Sequence, residues 1–566
     1  MNKLVIGLLV LVTLWIINVN TARICLEQEI DWVRNKKDGF KVISSPAVPF
    51  GPQYGQGLGA GPFFSLGPVN DIDPFALPGT PVQPANPPDP TDNSTWIPAA
   101  LRQTDGVLSL IIKEFGSASL DIKRDMTRLK IVSTNFENMH QQMVARIAQY
   151  TSKFEIKPTL TSTSNIKSVA FSTFFILAEP HGFDHKFALE QEEKYRCEMR
   201  SEMINSDKCP TINGFSNALL SWNTLETSLI TGSGATLEIQ FTKILDCLED
   251  LLKKATVGPG SSNKFSFKDV AKYRIYLRDT DDLTEGAFHI LWSSFLANEN
   301  LPKPARVLEK GLGLYDPNAL IGIEIVAFKS ANNEKLERAN NPFVFSHPDE
   351  SQVVYTSKRA WTSAVYGVTN KPGEPIVIDN NGTFYAEEIA SLVQNPAILA
   401  ALHALKPSED VTGSILADWF VQARRTIDNL HKVLSMAGMD ITDTMHHNFM
   451  IQSSLSFFGI HPAMAVYYNG TGAFYPIRGD EISAVFPAYL GDRTPQTGIV
   501  YGLEGFAVNV NDRHFRARHN GRLPGAFTAT NCLGTDNPYC PVEDYVYLGA
   551  HDYLVEKPCD NLYNDH

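Results

Sequence analysis

The chain has 566 residues, of which 43% are apolar and 10% aromatic, and a net charge of -13. That length predicts several domains rather than one, and the apolar fraction suffices for packed cores. An acidic balance without an extended basic run argues against nucleic acid and anionic membranes as partners.

Met1-Asn2-Lys3 precedes an apolar run over 4–17, short of the roughly 20 residues of a membrane span, and a small polar stretch over 18–22. This pattern predicts a signal peptide over 1–22, hence a secreted, extracellular protein, with an uncleaved anchor as the alternative. From residue 40, Lys41-Val42-Ile43, Gly51-Pro52-Gln53-Tyr54-Gly55-Gln56 and Phe63-Phe64-Ser65-Leu66-Gly67-Pro68 form an opening block. The Pro-rich stretch 74–98 is too stiff and donor-poor for a helix or a central strand and predicts an exposed loop. Val107, Leu108, Ile111, Ile112 and Phe115 then mark a helix, 128–133 a strand, Phe136, Met139, Met143 and Ile147 a second helix, and 157–179 closing strands. A charged connector, 183–208, carries an inserted helix.

After Cys209 the pattern returns. Gly214-Phe215-Ser216-Asn217-Ala218 opens it, and Phe241, Ile244, Leu245, Leu248, Leu251, Leu252 and Ala255 line a helix. The next strand alternates Ala271, Tyr273, Ile275 and Leu277 with Lys272, Arg274 and Tyr276, as for a sheet with one covered face. Phe288, Leu291, Trp292 and Phe295 stripe the following helix. A third, more decorated round begins near 340 with Ser351-Gln352-Val353-Val354 and Tyr366-Gly367-Val368. It has insertions at 371–413 and 453–480. Its helix shows Phe420, Ala423, Ile427, Leu430, Leu434 and Ala437 before Gly438. A strand over 445–452 and a closing segment over 486–510 complete it; the tail, 514–566, has no periodic pattern.

Self-similarity at this scale is joined by specific residues. The order of elements, the turn Asp279-Thr280-Asp281-Asp282, the block Pro304-Ala305-Arg306 and the strand Ile321-Gly322-Ile323-Glu324-Ile325-Val326-Ala327 together resemble the RidA (YjgF) family. Members are small trimers of chorismate-mutase-like fold, many of which hydrolyse reactive enamines and imines in pockets between subunits. The resemblance implies an α/β (α+β) fold class with three RidA-like domains, 40–182, 209–330 and 340–513, forming a single-chain pseudo-trimer.

In the family, the arginine of the Pro-Ala-Arg block holds a substrate carboxylate by a two-pronged bond. A glutamate on the closing strand positions water or a proton, and a neighbour's tyrosine completes the pocket. The arginine position holds Arg306 in the second round, Leu160 in the first and Thr497 in the third. The glutamate position holds Gly322, with Glu324 two residues on, and Ser172 or its neighbours and Glu504 in the other rounds. The tyrosine position holds Tyr54, Phe215 and Glu350. No round carries a full set, which implies lost activity and a binding or structural role in an extracellular assembly, with the insertions as partner-facing surfaces. A deaminase pocket combining Arg306 with Tyr54, and a small-carboxylate binding protein using Arg306, stay open. So does an Arg306 that simply pairs with an acid at an intersubunit wall. No cofactor and no metal is expected.

Seven cysteines suit an oxidising compartment. Sequence proximity suggests Cys197–Cys209 and Cys532–Cys540; Cys25–Cys559 would tie the termini, and Cys247 reads as a buried thiol. Asn93, Asn381 and Asn469 head glycosylation sequons. His181 and His185 have metal-pair spacing but flank Gly182 and predict an exposed connector; His446 and His447, adjacent on a strand, face opposite ways. Arg478-Gly479-Asp480 and the basic patch at 513–519 read as chance and solvated segments.

Overall fold

Where the sequence alternates in twos the chain forms strands, and where apolar residues recur every three or four it forms helices. A computed structural model describes residues 23–30, 32, 41–43, 57–66, 93–134, 137–165, 176–258, 263–278, 281–331, 334–367, 414–439, 441–451, 477–482 and 501–509. The strands are β1 (Lys41–Ile43), β2 (Gly57–Ala60), β3 (Phe63–Leu66), β4 (Met126–Thr134), β5 (Thr159–Asn165), β6 (Ile176–Phe183) and β7 (Ser201–Ile204). Next come β8 (Ala218–Ser221), β9 (Thr224–Thr227), β10 (Ile230–Thr231), β11 (Val270–Leu277), β12 (Ala305–Lys310), β13 (Leu312–Leu314) and β14 (Ile321–Phe328). The last are β15 (Glu337–Ala339), β16 (Val353–Tyr355), β17 (Arg359–Thr362), β18 (Val365–Tyr366), β19 (Thr444–Ile451), β20 (Ile477–Ile482) and β21 (Tyr501–Val508). The longer helices among the described residues are α1 (Asn93–Ser117), α2 (Glu137–Thr151), α3 (His185–Tyr195), α4 (Leu237–Lys254), α5 (Asp282–Asn298) and α6 (Ser414–Ser435).

The fold is α/β, and the described residues form three sheets of seven strands. Each contains the same run: β3-β6-β4-β5, β9-β14-β11-β12 and β17-β21-β19-β20. The third strand of each run is antiparallel to the second and parallel to the fourth, and its register shifts once near its start, after Met126, Val270 and Thr444. A parallel pair needs a crossover, and α2 and α5 supply it for the first two sheets. Thr236 caps α4 by accepting the Ile239 N–H, and Lys253 and Lys254 end it favourably against the helix dipole. Asp281 caps α5 through the Thr284 N–H at 2.7 Å. Gly438, at φ +67°, follows α6 in the left-handed conformation.

Tyr273, Ile275 and Leu277 point from β11 into a core with Phe288 and Trp292 of α5; the Tyr273 and Trp292 rings meet edge-on at 4.9 Å. The opposite face differs from expectation. Arg274 and Tyr276 are also buried, because the sheets face one another: β5 packs on β9, β11 and β12 on β17, and β19 on β2. Residues 93–98, expected as loop, are helical. Pro98 is the sixth residue of α1, so it removes an early hydrogen bond rather than a central one. Ile112, expected on the apolar face of α1, is exposed, whereas Val107, Leu108, Ile111 and Phe115 are buried.

Two disulfides are formed, Cys25–Cys197 and Cys209–Cys247, with Cα separations of 4.8 and 5.0 Å. They replace the expected Cys197–Cys209 and Cys25–Cys559 pairs and the free thiol at Cys247. The cause is tertiary: the Cys25 N–H bonds to Glu198 O and Trp222 Nε1 to Cys25 O, which lays the N-terminal segment beside Cys197. Cys532, Cys540, Cys559, Asn381, Asn469, residues 1–22 and the tail lie outside the described residues. Among the described residues no helix is long and apolar enough to cross a membrane.

Non-reducing peptide mapping should recover Cys25–Cys197 and Cys209–Cys247 and no Cys197–Cys209 peptide. Cys25→Ser should destabilise the chain by about 2–4 kcal/mol in denaturant titration, since that bond closes the longer loop. A second expectation concerns Glu114 on α1, buried without a hydrogen bond to its carboxylate. Burial pushes its pKa up to about 9. Because the folded pKa is raised, stability is fully present below the usual carboxylate pKa of about 4.3 and falls as pH climbs toward the folded value. Glu114→Gln should therefore raise the urea midpoint more at pH 8 than at pH 5; an equal change at both would refute the buried neutral acid.

Candidate functional site

Parallel pairing fixes which residues correspond. Leu160 lies opposite Leu129, Arg306 opposite Tyr273 and Arg478 opposite His447. The third arginine-position residue is thus Arg478, not Thr497. Pro495-Gln496-Thr497 imitates the local motif, but the strand that pairs with β19 is β20, which begins inside the stretch 453–480 expected as an insertion.

At these positions one sheet clasps the next. Leu160 N–H donates to Ser228 Oγ at 2.8 Å, and Leu229 N–H to Leu160 O at 2.8 Å. At the second junction Arg306 N–H donates to Ser363 Oγ at 2.8 Å, and Ala364 N–H to Arg306 O at 3.1 Å. Ser216 N–H to Pro158 O at 3.0 Å is matched by Ser351 N–H to Pro304 O at 2.9 Å. The backbone clasp is conserved bond for bond while the side chains differ.

The Arg306 side chain is 4% exposed. Its Nε donates to Glu350 Oε2 at 3.3 Å, its Nη1 lies 3.4 Å from His289 Nδ1, and its guanidinium stands 5.9 Å from the Trp292 ring centroid. Glu350 also accepts the His347 N–H at 3.2 Å. Burial raises the Glu350 pKa, with Arg306 opposing. Burial and then Arg306 push His347 down to about 2. Leu160 and Phe215, which hold the same places at the first junction, are buried in one apolar cluster. Of the three roles open to Arg306, the geometry realises the ion pair with an acid at an interface. Tyr54 lies outside the described residues.

The glutamate position is closed. A Cβ on Gly322 would meet Leu229 Cδ1 at 2.9 Å. Register aligns Leu177 and Gly502 with Gly322, and Glu179 and Glu504 with Glu324. Leu177 rather than Ser172 is the first-round counterpart, and Glu504 matches the later acid.

Glu324 and Glu504, with Glu226, line a cavity of about 120 Å³ between the sheets, and Glu179 is buried beside the cavity-lining Lys130 and His446. Glu324, Glu504 and Glu179 each meet the neighbouring sheet at one repeated position, occupied by Arg128, Lys272 and His446. Arg128 Nη2 reaches Glu324 Oε1 at 2.7 Å, Lys272 pairs with Glu504, and His446 Nε2 lies 3.7 Å from Glu179 Oε2. Within their own sheets, Lys130 lies 3.5 Å from Glu179 and Arg274 3.5 Å from Glu324; Arg274 also reaches Glu504. The contacts therefore run in a ring from first sheet to second, second to third and third to first. Arg359 lies at the cavity wall, paired with Glu27 and bonded to Asn223 Oδ1 at 2.7 Å. Its guanidinium is ringed by Phe63, Phe328, Trp361, Trp222 and Trp32, with centroids at 4.9–5.8 Å.

Sequence reasoning missed this cavity, although the polar alternation of Arg128, Lys130, Lys272 and Arg274 signalled charged strand faces. His181, expected on an exposed connector, lies on β6 against the cavity with its ring 5.0 Å from that of His446. His185 contacts Asp125 at 2.9 Å. His446 and His447 do face opposite ways: His446 lines the cavity, and His447 is fully buried without doing so.

No family model and no curated protein sequence matches the chain. Segments of it are similar to solved structures of the YjgF/RidA group. A member of the YjgF/YER057c/UK114 family from Mycobacterium tuberculosis is 20% identical over 23% of this chain and 99% of its own, with a TM-score of 0.19. The YjgF gene product of E. coli is 18% identical over 22% and 98%, also at 0.19. Yeast Mmf1 is 15% identical over 23% and 100%, at 0.18.

If the ring holds the sheets together, Glu324→Ala, which strands Arg128 and Arg274 in a buried site, should cost about 3–5 kcal/mol in denaturant titration. A loss below about 1 kcal/mol, the range of an exposed pair, would contradict that role.

Proposed function

We propose that the chain is a divergent single-chain pseudo-trimer of the RidA type, with domains over 40–182, 209–330 and 340–513, that has lost imine and enamine hydrolysis. It serves as a binding or structural component of an extracellular assembly. One observation carries the loss of activity: the Glu350 carboxylate sits on Arg306, where a substrate carboxylate would have to bind. A ligand would need to displace a covalently tethered competitor already in place. Gly322 against Leu229 and the apolar pair Leu160 and Phe215 support the same reading at the acid and at the other junction.

Two disulfides fit an oxidising compartment. Three sheets that share one strand run make a scaffold from which the insertions, less the helical 93–98 and the strand residues 477–480, present partner-binding surfaces.

The test is hydrolysis of an amino-acid-derived enamine by the secreted chain. The wild type and Arg306→Ala should both stay at the uncatalysed rate; turnover that Arg306→Ala abolishes would overturn the reading. Glu350→Ala should in turn create a thermal shift with small carboxylates that the wild type lacks. A wild-type shift of the same size would instead make the chain a carboxylate binder.

A further inference from the structure

The ring has one exceptional link. At the first two junctions the glutamate meets a permanent cation, Arg128 on Glu324 and Lys272 on Glu504, and the residue two places along the glutamate's strand is apolar, Val326 or Phe506. At the third, both of those places are histidines: His446 stands where Arg128 and Lys272 stand, and His181 where Val326 and Phe506 stand. Two imidazoles thus converge on Glu179 at the one junction that lacks a permanent cross-sheet cation.

Their geometry suits coordination. Glu179, His181 and His446 offer ligand atoms that all lie within 4.8 Å of one another, so side-chain rotations can bring them to the roughly 2.0–2.2 Å bonds of a zinc site. Ser65 Oγ holds His181 Nδ1 at 2.9 Å, which leaves Nε2 for a metal and fixes the ring in the way an outer-shell partner does. His446 Nε2 is buried without a hydrogen bond; its 3.7 Å approach to Glu179 is longer than one. A buried ring nitrogen without a hydrogen bond leaves room for a ligating partner.

We propose that Glu179, His181 and His446 bind one divalent transition-metal ion of the zinc type, which supplies at the third junction the positive charge that Arg128 and Lys272 supply at the other two. Arg128, Lys130 and Arg274 stand near and oppose a cation. Arg128, Arg274 and Lys272 share the two carboxylates Glu324 and Glu504, and Glu226 also lines the cavity. Lys130 has a second acceptor, Asn448 Oδ1 at 2.8 Å, so Glu179 can turn to the metal without stranding it. Imidazole with carboxylate selects zinc-like ions over magnesium or calcium. The remaining coordination position faces the cavity.

The full secreted chain, stripped with chelator and refilled with zinc sulfate, should retain one equivalent of zinc through gel filtration. It should also show a higher thermal midpoint than the stripped form. X-ray absorption at the zinc edge should report two imidazole ligands. His446→Lys and His181→Val install the residues found at the equivalent positions, Lys272 and Val326. Each should remove the equivalent and the thermal shift while leaving the circular dichroism spectrum intact. A wild-type chain that retains no zinc, a zinc edge without imidazole, or an equivalent that survives in either folded variant overturns the site. Because the edge spectrum needs no variant, the outcome does not depend on the variants folding.

Discussion

The structure depends on burying charge. Three sheets can enclose a common cavity only if the inward rows of Arg128, Lys130, Lys272 and Arg274 find acids there, because an isolated buried ion costs several kcal/mol after relaxation. Glu179, Glu324 and Glu504 supply them, each at the same position of its own sheet and each facing the next. Pairs within a sheet, Lys130 with Glu179 and Arg274 with Glu324, are joined by a cross-sheet contact to each glutamate. Folding of each sheet into its charged inner face is therefore coupled to docking of its neighbours.

Around that ring the junctions show what fusion into one chain permits. In a symmetric oligomer a substitution appears at every interface; here it appears once. The backbone clasp through Ser228 and Ser363 is the same at two junctions, yet one encloses Leu160 and Phe215 and the other Arg306 and Glu350. In each case both members of a pair suit one another, apolar with apolar and cation with acid. The third link of the ring has departed further, to imidazoles. Interface chemistry has diversified on a constant hydrogen-bonded frame, which is how a scaffold is kept while pockets are closed or re-used.

Arg359 shows the same economy on a single residue. It occupies the strand position that Phe63 and Thr224 hold in the other sheets and is surrounded by aromatic rings from several elements. A planar, weakly hydrated cation tolerates such an enclosure, provided that Glu27 and the Asn223 amide oxygen take its donors. Glu27 comes from the same N-terminal segment that Cys25 ties to Cys197, so that disulfide also steadies the partner of the buried arginine.

Periodicity alone determined the elements: the stripe of α4, the alternation of β11, and the helices that precede each middle strand follow from spacings of two and of three to four residues. Short motifs also placed Arg306 at a junction. The sequence could not decide what Arg306 faces, because Glu350 lies 44 residues away and reaches it only through the clasp of the next sheet. Nor could it decide that Arg478 rather than Thr497 shares the position of Arg306, since register belongs to the pairing of β19 with β20. It could not bring Cys25 to Cys197, or His181 to His446, for the same reason. Local propensity is written residue by residue along the chain. The inner face of a sheet acquires its meaning only when another sheet covers it, and that encounter decided which charges are paired, which pocket is filled and which histidines meet.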